Sequence, residues 1–399
     1  MNVIFVSPNF PRTYWNFCDR LKKNGATVLG IGDAPYDSLS PELKGALTEY
    51  YRVDDLGSYD EMFRAVAYYS FHYGKIDWLE SNNEFWLAQD ARLRTDFHIT
   101  TGVREGQIDF IKEKHLMKVK YREAGIPTAR QHPLADGSFA DAKWFAGEVG
   151  YPVIVKPDVG VGATDTYKLR SDADLETFYQ HLPAVPYVME EFIDASSICS
   201  YDAIVDSHME PLFESMTVWP PSIMDIVEKQ LDLSYYTAAS VPEPLRALGR
   251  RTVKAFGVKS RFVHLEFFRL REGKPGLGAA GDFVALEVNM RPAGGYTTDM
   301  MNFAHSCDVY QIWADMVTAD RLIHPLRDEH HFCAYASRRD GKRYRHTHEE
   351  ILARYGAQIV MQEEMPPMNW PQMGRYMYTA KFPTQAESDA FIRFVQERA

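Results

Sequence analysis

The feature that most constrains the fold is a strand-like run that ends in a lysine and leads directly into a glycine loop, YPVIVKPDVGVGATDTYKL at residues 151–169. A Walker loop requires its lysine after the glycines, at the start of a helix, whereas Lys156 precedes them. A dinucleotide-binding fingerprint requires a third glycine, and Asp165 stands in its place. Both of these phosphate sites are therefore excluded. The segment is either a β-hairpin with an exposed lysine, or a strand and a loop whose backbone N–H groups cover phosphates.

A second pattern places two carboxylates and an amide on two predicted strands. Glu266 lies among apolar residues in HLEFFR, and Glu287 and Asn289 lie two residues apart in EVNMRP, so they share one face of a strand. Oxygen ligands of this kind suit Mg²⁺. Arg291 continues the same face and can grip an anion through two N–H groups. The alternative is an edge strand that carries solvated acidic side chains.

Length and composition limit the class of protein. The chain has 399 residues, of which 45% are hydrophobic, and its formal net charge is −11. This length predicts two or three domains, and the negative charge argues against a nucleic-acid partner. The sequence shows no apolar stretch of roughly 18 residues and no signal peptide, so we expect no membrane partner and a cytoplasmic location. The four cysteines are widely spaced, which predicts neither disulfides nor a zinc site.

Strand and helix signals alternate in the first section, with strands expected at 3–7, 27–31 and 76–79 and helices at 14–23 and 59–73. Alternation of this kind predicts a parallel sheet covered by helices. Residues 332–399 have the pattern of a small α+β lobe. Further strands are expected at 153–156, 201–205, 211–217, 262–270, 283–288, 332–337, 358–362 and 376–380, and further helices at 114–124, 172–181, 246–256, 348–355 and 385–398.

Five motifs follow one another along the chain: a lysine-bearing helix (113–130), the strand and glycine loop (153–164), MEEFID (189–194), VHLEFF (263–268) and LEVNMRPAGG (286–295). In this order and at these separations they resemble the ATP-grasp superfamily, and within it the carboxylate–amine ligases. The resemblance covers about residues 75–320. It implies an α/β and α+β chain, with a Rossmann-like N-terminal lobe at 1–112, a two-lobed ATP-grasp domain at 113–325 (lobes 113–189 and 190–325) and a small α+β lobe at 326–399.

The resemblance also implies roles for individual residues. Lys156 and Arg291 would be catalytic, with Arg291 steadying the transferring phosphoryl group. One or two Mg²⁺ ions, or Mn²⁺, would be bound by Glu266, Glu287 and Asn289. The acceptor pocket would include Glu84, Gly294 and Gly295. The residues implied to bind ATP are Lys114 and Lys156 at the phosphates, Gly160, Gly162, Ala163 and Thr164 in the covering loop, Glu190, Glu191, Phe192 and Ile193 at the hinge beside adenine, and Leu286 against the base.

The implied reaction is the ATP-dependent joining of a carboxylic acid to an amine or thiol through an acyl phosphate, with release of ADP and phosphate. Small acids and amines are the expected partners, amino acids among them, and a homodimer is a further expectation. The alternatives are a carboxyphosphate-forming enzyme of the carboxylase type and a non-catalytic nucleotide-binding module. The chain departs from the family pattern at Ser197, where many relatives carry a ribose-binding glutamate, at Ala163–Thr164 in the loop, and at Glu113, where an aspartate is usual.

Overall fold

The computed structural model describes residues 1–134, 138–160, 165–220, 226 and 229–399. Its strands form three sheets, and helices pack on them. Within these described ranges, no helix is both long enough and apolar enough to cross a lipid bilayer.

The N-terminal lobe is a four-stranded parallel sheet with the strand order β3-β2-β1-β4. Strand β1 is apolar and buried because it lies in the interior of a parallel sheet. The expected strands near 3–7, 27–31 and 76–79 are confirmed as β1, β2 and β4, whereas β3 (EYYR) lacks an apolar run and gave no strand signal. The elements are β1 Asn2–Val6, β2 Thr27–Gly32, β3 Glu49–Arg52, β4 Trp78–Glu80, α1 Trp15–Lys23, α2 Pro41–Ala46, α3 Tyr59–Tyr73, α4 Leu87–Asp96 and a 3₁₀ turn at Tyr36–Ser38.

The second sheet is antiparallel and has the order β5-β8-β6-β7. Strands β6 and β7 pair as a hairpin, with Val153 opposite Leu169, so the lysine strand and the segment after the glycine loop are its two arms. The elements are β5 Gln131–Pro133, β6 Val153–Pro157, β7 Tyr167–Leu169, β8 Tyr187–Glu191, α5 Asp109–Lys112, α6 Lys114–Glu123, α7 Phe139–Val149, α8 Asp172–Gln180 and a 3₁₀ turn at Glu105–Gln107.

The third sheet contains nine of the described strands, in the order β14-β13-β9-β11-β12-β15-β17-β16 with β10 beside β9. Strand β12 pairs with β15, so the sheet continues across the boundary predicted after residue 325, and that boundary stays a prediction. The elements are β9 Ala195–Val205, β10 Pro211–Ser215, β11 Thr217–Trp219, β12 Ser234–Thr237, β13 Arg261–Leu270, β14 Phe283–Asn289, β15 Phe332–Arg338, β16 Ile359–Glu364, β17 Tyr376–Phe382, α9 Glu243–Ala255, α10 Thr297–His305, α11 Val309–Ala319, α12 His348–Tyr355, α13 Trp370–Met373, α14 Gln385–Gln396 and a 3₁₀ turn at Pro367–Asn369.

Several contacts hold the N-terminal lobe against the nine-stranded sheet and its helices, among them a helix pair and a buried ion pair. Helix α1 packs on α11, where the ring of Phe17 lies 5.0 Å from that of Trp313. Arg261, the first residue of β13, donates to the carboxylate of Glu80 at the end of β4, at 2.9 Å, and both side chains are buried. The carboxyl ends of β1 and β4 therefore face the loop that follows β14.

Candidate active site

Lys114 joins three of the predicted motifs at one point. It is the first residue of α6, and its Nζ donates to the carbonyl of Gly160 at 2.9 Å and lies 3.5 Å from Glu287 Oε1. Because Lys114 is buried and Glu287 is half-buried, their ion pair is partly shielded from water and keeps more of its electrostatic strength than an exposed pair does. The start of α6, the edge of the glycine loop and strand β14 therefore meet at a positive charge.

Glu190 lies between two lysines. Its Oε2 is 2.9 Å from Lys156 Nζ and its Oε1 is 3.6 Å from Lys118 Nζ. Burial acts to raise the pKa of Glu190, but the charges of Lys118 and Lys156 outweigh it and hold that pKa below its usual range. Burial acts to lower the pKa of Lys156, yet the charges of Glu190 and Glu287 raise it above its ordinary value. Both Glu190 and Lys156 are therefore charged at neutral pH.

Lys118 is a member of this network that the sequence motifs did not reveal. It is 1% exposed, and its Nζ donates to the carbonyls of Leu286 and Ala285 at 3.0 and 3.3 Å. Burial lowers the pKa of Lys118 to about 8, with the charge of Glu190 opposing that shift. The sequence does contain one signal that could have identified Lys118. It follows Lys114 by four residues and so lies on the same face of helix α6.

The predicted metal ligands occupy adjacent strands. Glu266 pairs directly with Glu287 across β13 and β14. Glu266 Oε1 accepts from His264 Nε2 at 3.1 Å and from Asn289 Nδ2 at 3.4 Å. Asp202 lies 2.7 Å from the other ring nitrogen of His264, and although burial opposes the change, the two carboxylates raise the pKa of His264 to about 9. A protonated imidazole thus holds Glu266 in place, a contact that the sequence did not predict.

Arg291 connects this group to the N-terminal lobe. Its Nη2 lies 3.4 Å from Asn289 Oδ1, and its Nε lies 3.8 Å from Glu84 Oε2. Glu84 is buried, and burial raises its pKa although the charge of Arg291 opposes the shift. Gly294 and Gly295 are exposed in the loop that follows, where Gly295 adopts a left-handed φ of +64°. Of the three residues predicted for the acceptor pocket, Glu84 therefore lies beside Arg291, and Gly294 and Gly295 follow Arg291 in the chain.

The predicted hinge residues are the last two residues of β8, Glu190 and Glu191, and the two that follow it, Phe192 and Ile193. Glu191 points away from Glu190 because neighbours on a strand face opposite sides, and it pairs with Lys274 at 3.0 Å and Arg130 at 3.1 Å. The ring of Phe192 lies 3.7 Å from Lys168 Nζ. Ile193 is buried in an apolar cluster, and Leu286 is half-buried beside Lys118. Of the predicted covering loop, Gly160 is described, and Gly162, Ala163 and Thr164 lie outside the described residues.

Known structures identify this architecture. An L-amino acid ligase from Bacillus licheniformis superposes with a TM-score of 0.72 over 99% of this chain and 96% of that one, at 14% identity. The biotin carboxylase domain of the Hydrogenobacter thermophilus 2-oxoglutarate carboxylase, solved with MgADP, ADP and bicarbonate, superposes with a TM-score of 0.69 over 99% and 89% of the two chains, at 16% identity. The chain has the ATP-grasp fold.

The relatives found by sequence comparison are distant, and they agree with this fold. No profile of a known protein family matches the chain. An L-arginine-specific L-amino acid ligase of Bacillus subtilis is 23% identical over 261 residues, which are 63% of this chain and 60% of that protein. The carbamoyl phosphate synthase large chain of Streptomyces avermitilis is 27% identical over 183 residues, 42% of this chain. The match spans 15% of that relative's length, and 12% of the corresponding large chain of Methanosarcina barkeri.

Within the ATP-grasp fold, the residues present fit a magnesium ion. Glu266, Glu287 and Asn289 supply hard oxygen donors from two paired strands, and Mg²⁺ prefers few carboxylates together with substrate phosphates. Glu287 Oε1 lies 3.5 Å from the Nζ of Lys114, and Lys114 is a lysine predicted to bind phosphate. When a magnesium–nucleotide complex binds, we therefore expect this pair to separate, so that Glu287 binds the magnesium ion and Lys114 binds the phosphates.

Proposed function

We propose that this ATP-grasp protein is an ATP-dependent ligase that joins a carboxylic acid to an amine and releases ADP and phosphate. One observation carries the proposal: Lys114 contacts both the edge of the glycine loop and Glu287. The two predicted phosphate-binding lysines and the predicted metal ligands thus lie together, buried or half-buried, near Arg291. A cluster of this kind suits phosphoryl transfer, in which catalysis consists of positioning and charge stabilisation.

The proposed reaction assigns separate tasks to these groups. Lys114 and Lys156 bind the β- and γ-phosphates of ATP, and the glycine loop covers them. Magnesium held by Glu266, Glu287 and Asn289 would neutralise charge on those phosphates. Arg291 holds the substrate carboxylate while one of its oxygens attacks the γ-phosphorus and ADP leaves. The amine then attacks the acyl carbon of the acyl phosphate, which expels phosphate and forms the amide.

We propose that Arg291 and the glycine loop protect the acyl phosphate. Arg291 can stabilise the negative charge that develops on the phosphoryl group and on the tetrahedral oxygen. A closed site excludes water, which would otherwise hydrolyse the acyl phosphate. No side-chain nucleophile of the enzyme takes part in this sequence of steps.

The metal ions, the substrates, the oligomeric state and the location are also proposals. We propose one or two Mg²⁺ ions, with Mn²⁺ as a substitute, small acids and amines (amino acids among them) as substrates, a homodimer, and a cytoplasmic location. The similarity to a biotin carboxylase domain and to carbamoyl phosphate synthase supports one second candidate, in which bicarbonate is the acid that is phosphorylated.

Product analysis separates the candidates. Purified protein is incubated with Mg²⁺, ATP, pooled amino acids and pooled carboxylic acids, and ADP, phosphate and new masses are measured. The ligase proposal expects ADP and phosphate in equal amounts together with an amide product. ADP release that depends on bicarbonate and yields no amide would favour carboxyphosphate chemistry. Absence of ADP with every acid would contradict both candidates.

A further inference from the structure

The start of helix α6 is joined to the end of strand β6 through Asp158. The backbone N–H of Lys114 donates to the carbonyl of Asp158 at 3.0 Å, and the N–H of His115 donates to its Oδ1 at 2.9 Å. Asp158 directly follows β6 and precedes Gly160, whose carbonyl accepts from the side chain of Lys114. The two residues on either side of Lys114 in the chain, Glu113 and His115, form a separate cluster with Asp158.

This cluster offers one nitrogen and two oxygen atoms as metal ligands. His115 Nδ1 lies 2.5 Å from Asp158 Oδ2 and 3.7 Å from Glu113 Oε2, and one ligand atom of each residue lies within 4.8 Å of the other two. Zn²⁺ binds such atoms at about 2.0–2.2 Å in a tetrahedral arrangement, which separates two ligand atoms by roughly 3.3 Å. The observed separations of 2.5 and 3.7 Å lie on either side of that value. Small side-chain rotations would therefore enclose an ion.

The two carboxylates of the cluster lack a permanent counter-charge. Within the described part of the chain, Glu113 and Asp158 share the imidazole of His115 as their ion-pair partner, and Lys114 pairs on the side of the active site. Asp158 is buried. Burial raises the pKa of Glu113, the charge of His115 opposes this shift, and the charge of Asp158 adds to it. A divalent cation would neutralise both carboxylates and leave the neutral imidazole as a ligand.

We propose that Glu113, His115 and Asp158 bind a Zn²⁺ ion, with water as the fourth ligand, and that this ion ties the start of α6 to the end of β6. An imidazole suits Zn²⁺ and related transition metals, whereas Mg²⁺ prefers oxygen ligands in an octahedral arrangement. The site therefore differs from the predicted magnesium site in both position and chemistry. Because it uses no cysteine, the spacing of the cysteines could not predict it.

A metal ion at this place would act on the phosphate-binding elements without touching ATP. Lys114 lies between two of the ligands in the chain, and Gly160 follows the third ligand by two residues. Holding the three ligands together limits the movement of α6 relative to the residues that lead into the glycine loop. The folded chain brings these distant ligands together and the unfolded chain does not, so the ion should raise the melting temperature. The site requires neither ATP nor the ligase reaction.

Co²⁺ is the probe for this site, because four-coordinate Co²⁺ absorbs visible light far more strongly than Co²⁺ in water. The purified protein, without nucleotide and with excess Mg²⁺, is titrated with Co²⁺, and Zn²⁺ is then added. We expect one strongly absorbing Co²⁺ per chain, its displacement by Zn²⁺, and a higher melting temperature with Zn²⁺. Glu113→Gln and Asp158→Asn should each weaken Co²⁺ binding tenfold or more, since even the partners of metal ligands affect affinity by about 10–100-fold. The Glu113 side chain makes no capping hydrogen bond, so Glu113→Gln should keep α6 intact, which circular dichroism checks.

Two control variants separate the site from its surroundings. Asp109→Asn removes a nearby charge, one that also raises the pKa of Glu113, but it removes no ligand and should bind Co²⁺ as the wild type does. Glu287→Gln combined with Asn289→Ala removes predicted magnesium ligands and should also keep the strongly absorbing Co²⁺. A wild type without this absorption, or wild-type affinity in both ligand variants, would overturn the proposal and leave an ion pair between His115 and Asp158 in its place.

Discussion

Glu80 is the residue whose replacement should destabilise the fold most clearly, because one carboxylate serves two buried cations. Its oxygens lie 3.0 Å from Arg94 and 2.9 Å from Arg261, and they also accept from the N–H groups of Ser81 and Asn82 at 3.1 Å. Glu80, Arg94 and Arg261 are 2%, 0% and 1% exposed. Water therefore cannot reach the two arginines and take the place of the carboxylate when Glu80 is substituted.

The substitution Glu80→Gln keeps the shape of the side chain and removes its charge. Breaking a buried ion pair by removing one partner costs about 3–5 kcal/mol, because the other charge stays buried and unpaired. A domain is typically stable by about 5–15 kcal/mol, so the variant should lose a large part of its stability. Urea unfolding followed by tryptophan fluorescence should show the loss as a lower midpoint. Asp194→Asn is the control, since the Asp194–Arg271 pair is more than half exposed and such pairs contribute about 0–1 kcal/mol.

The loss of stability caused by Glu80→Gln should also depend on pH. Burial acts to raise the pKa of Glu80, but the charges of Arg261 and Arg94 outweigh it and lower that pKa below its ordinary value. A lowered pKa in the folded state means that the stabilisation is present above the ordinary glutamate pKa and is lost as the pH falls through the folded-state pKa. The difference between the wild type and Glu80→Gln should therefore shrink in acid. A Glu80→Gln midpoint equal to that of Asp194→Asn at neutral pH would refute the reasoning.

Three further predictions concern the active site. Lys156→Ala should weaken ATP binding about tenfold or more in a calorimetric titration, because a hydrogen bond to a charged group contributes about 1.5–3 kcal/mol; unchanged affinity would move the phosphates elsewhere. Glu287→Gln combined with Asn289→Ala should abolish ADP release and weaken the Mg²⁺ dependence of nucleotide binding, and normal turnover would remove the metal site. Lys118→Met should raise the KM for ATP more than it lowers kcat, because Glu190 then loses one of its two paired lysines and binds Lys156 more strongly, which leaves Lys156 less available to the phosphates.

The Lys118 prediction has its own control and pH dependence. Lys120→Met changes a lysine of the same helix that pairs with Glu123 in a partly exposed contact, and its KM should stay at the wild-type value. Burial lowers the pKa of Lys118 to about 8, so its charge, and with it the difference between wild type and Lys118→Met, should fade as the pH rises above about 8. A difference that stays constant from pH 7 to pH 9 would show that the charge of Lys118 does not matter.

The sequence predicted most elements and the fold because both follow from local patterns. Short apolar runs predicted strands β1, β2, β6, β13 and β14 within a residue or two of their observed bounds. The side-chain period of a strand placed Glu287 and Asn289 on one face. The order of the motifs then predicted the ATP-grasp fold, and the superposition on an L-amino acid ligase at 14% identity confirms that fold.

Contacts between distant segments were decided by the tertiary structure alone. Strand periodicity predicts that Glu190 and Glu191 face opposite sides, but only the tertiary contacts with Lys118 on α6 and Lys156 on β6 show that Glu190 is the one between the two lysines. The pairing of Glu80 with Arg261 joins residues 181 positions apart, and the pairing of β12 with β15 extends one sheet across a predicted boundary. The physical reason is that periodicity determines which face of a helix or strand is buried. Which other element packs against that face is determined by burial and charge compensation over the whole chain.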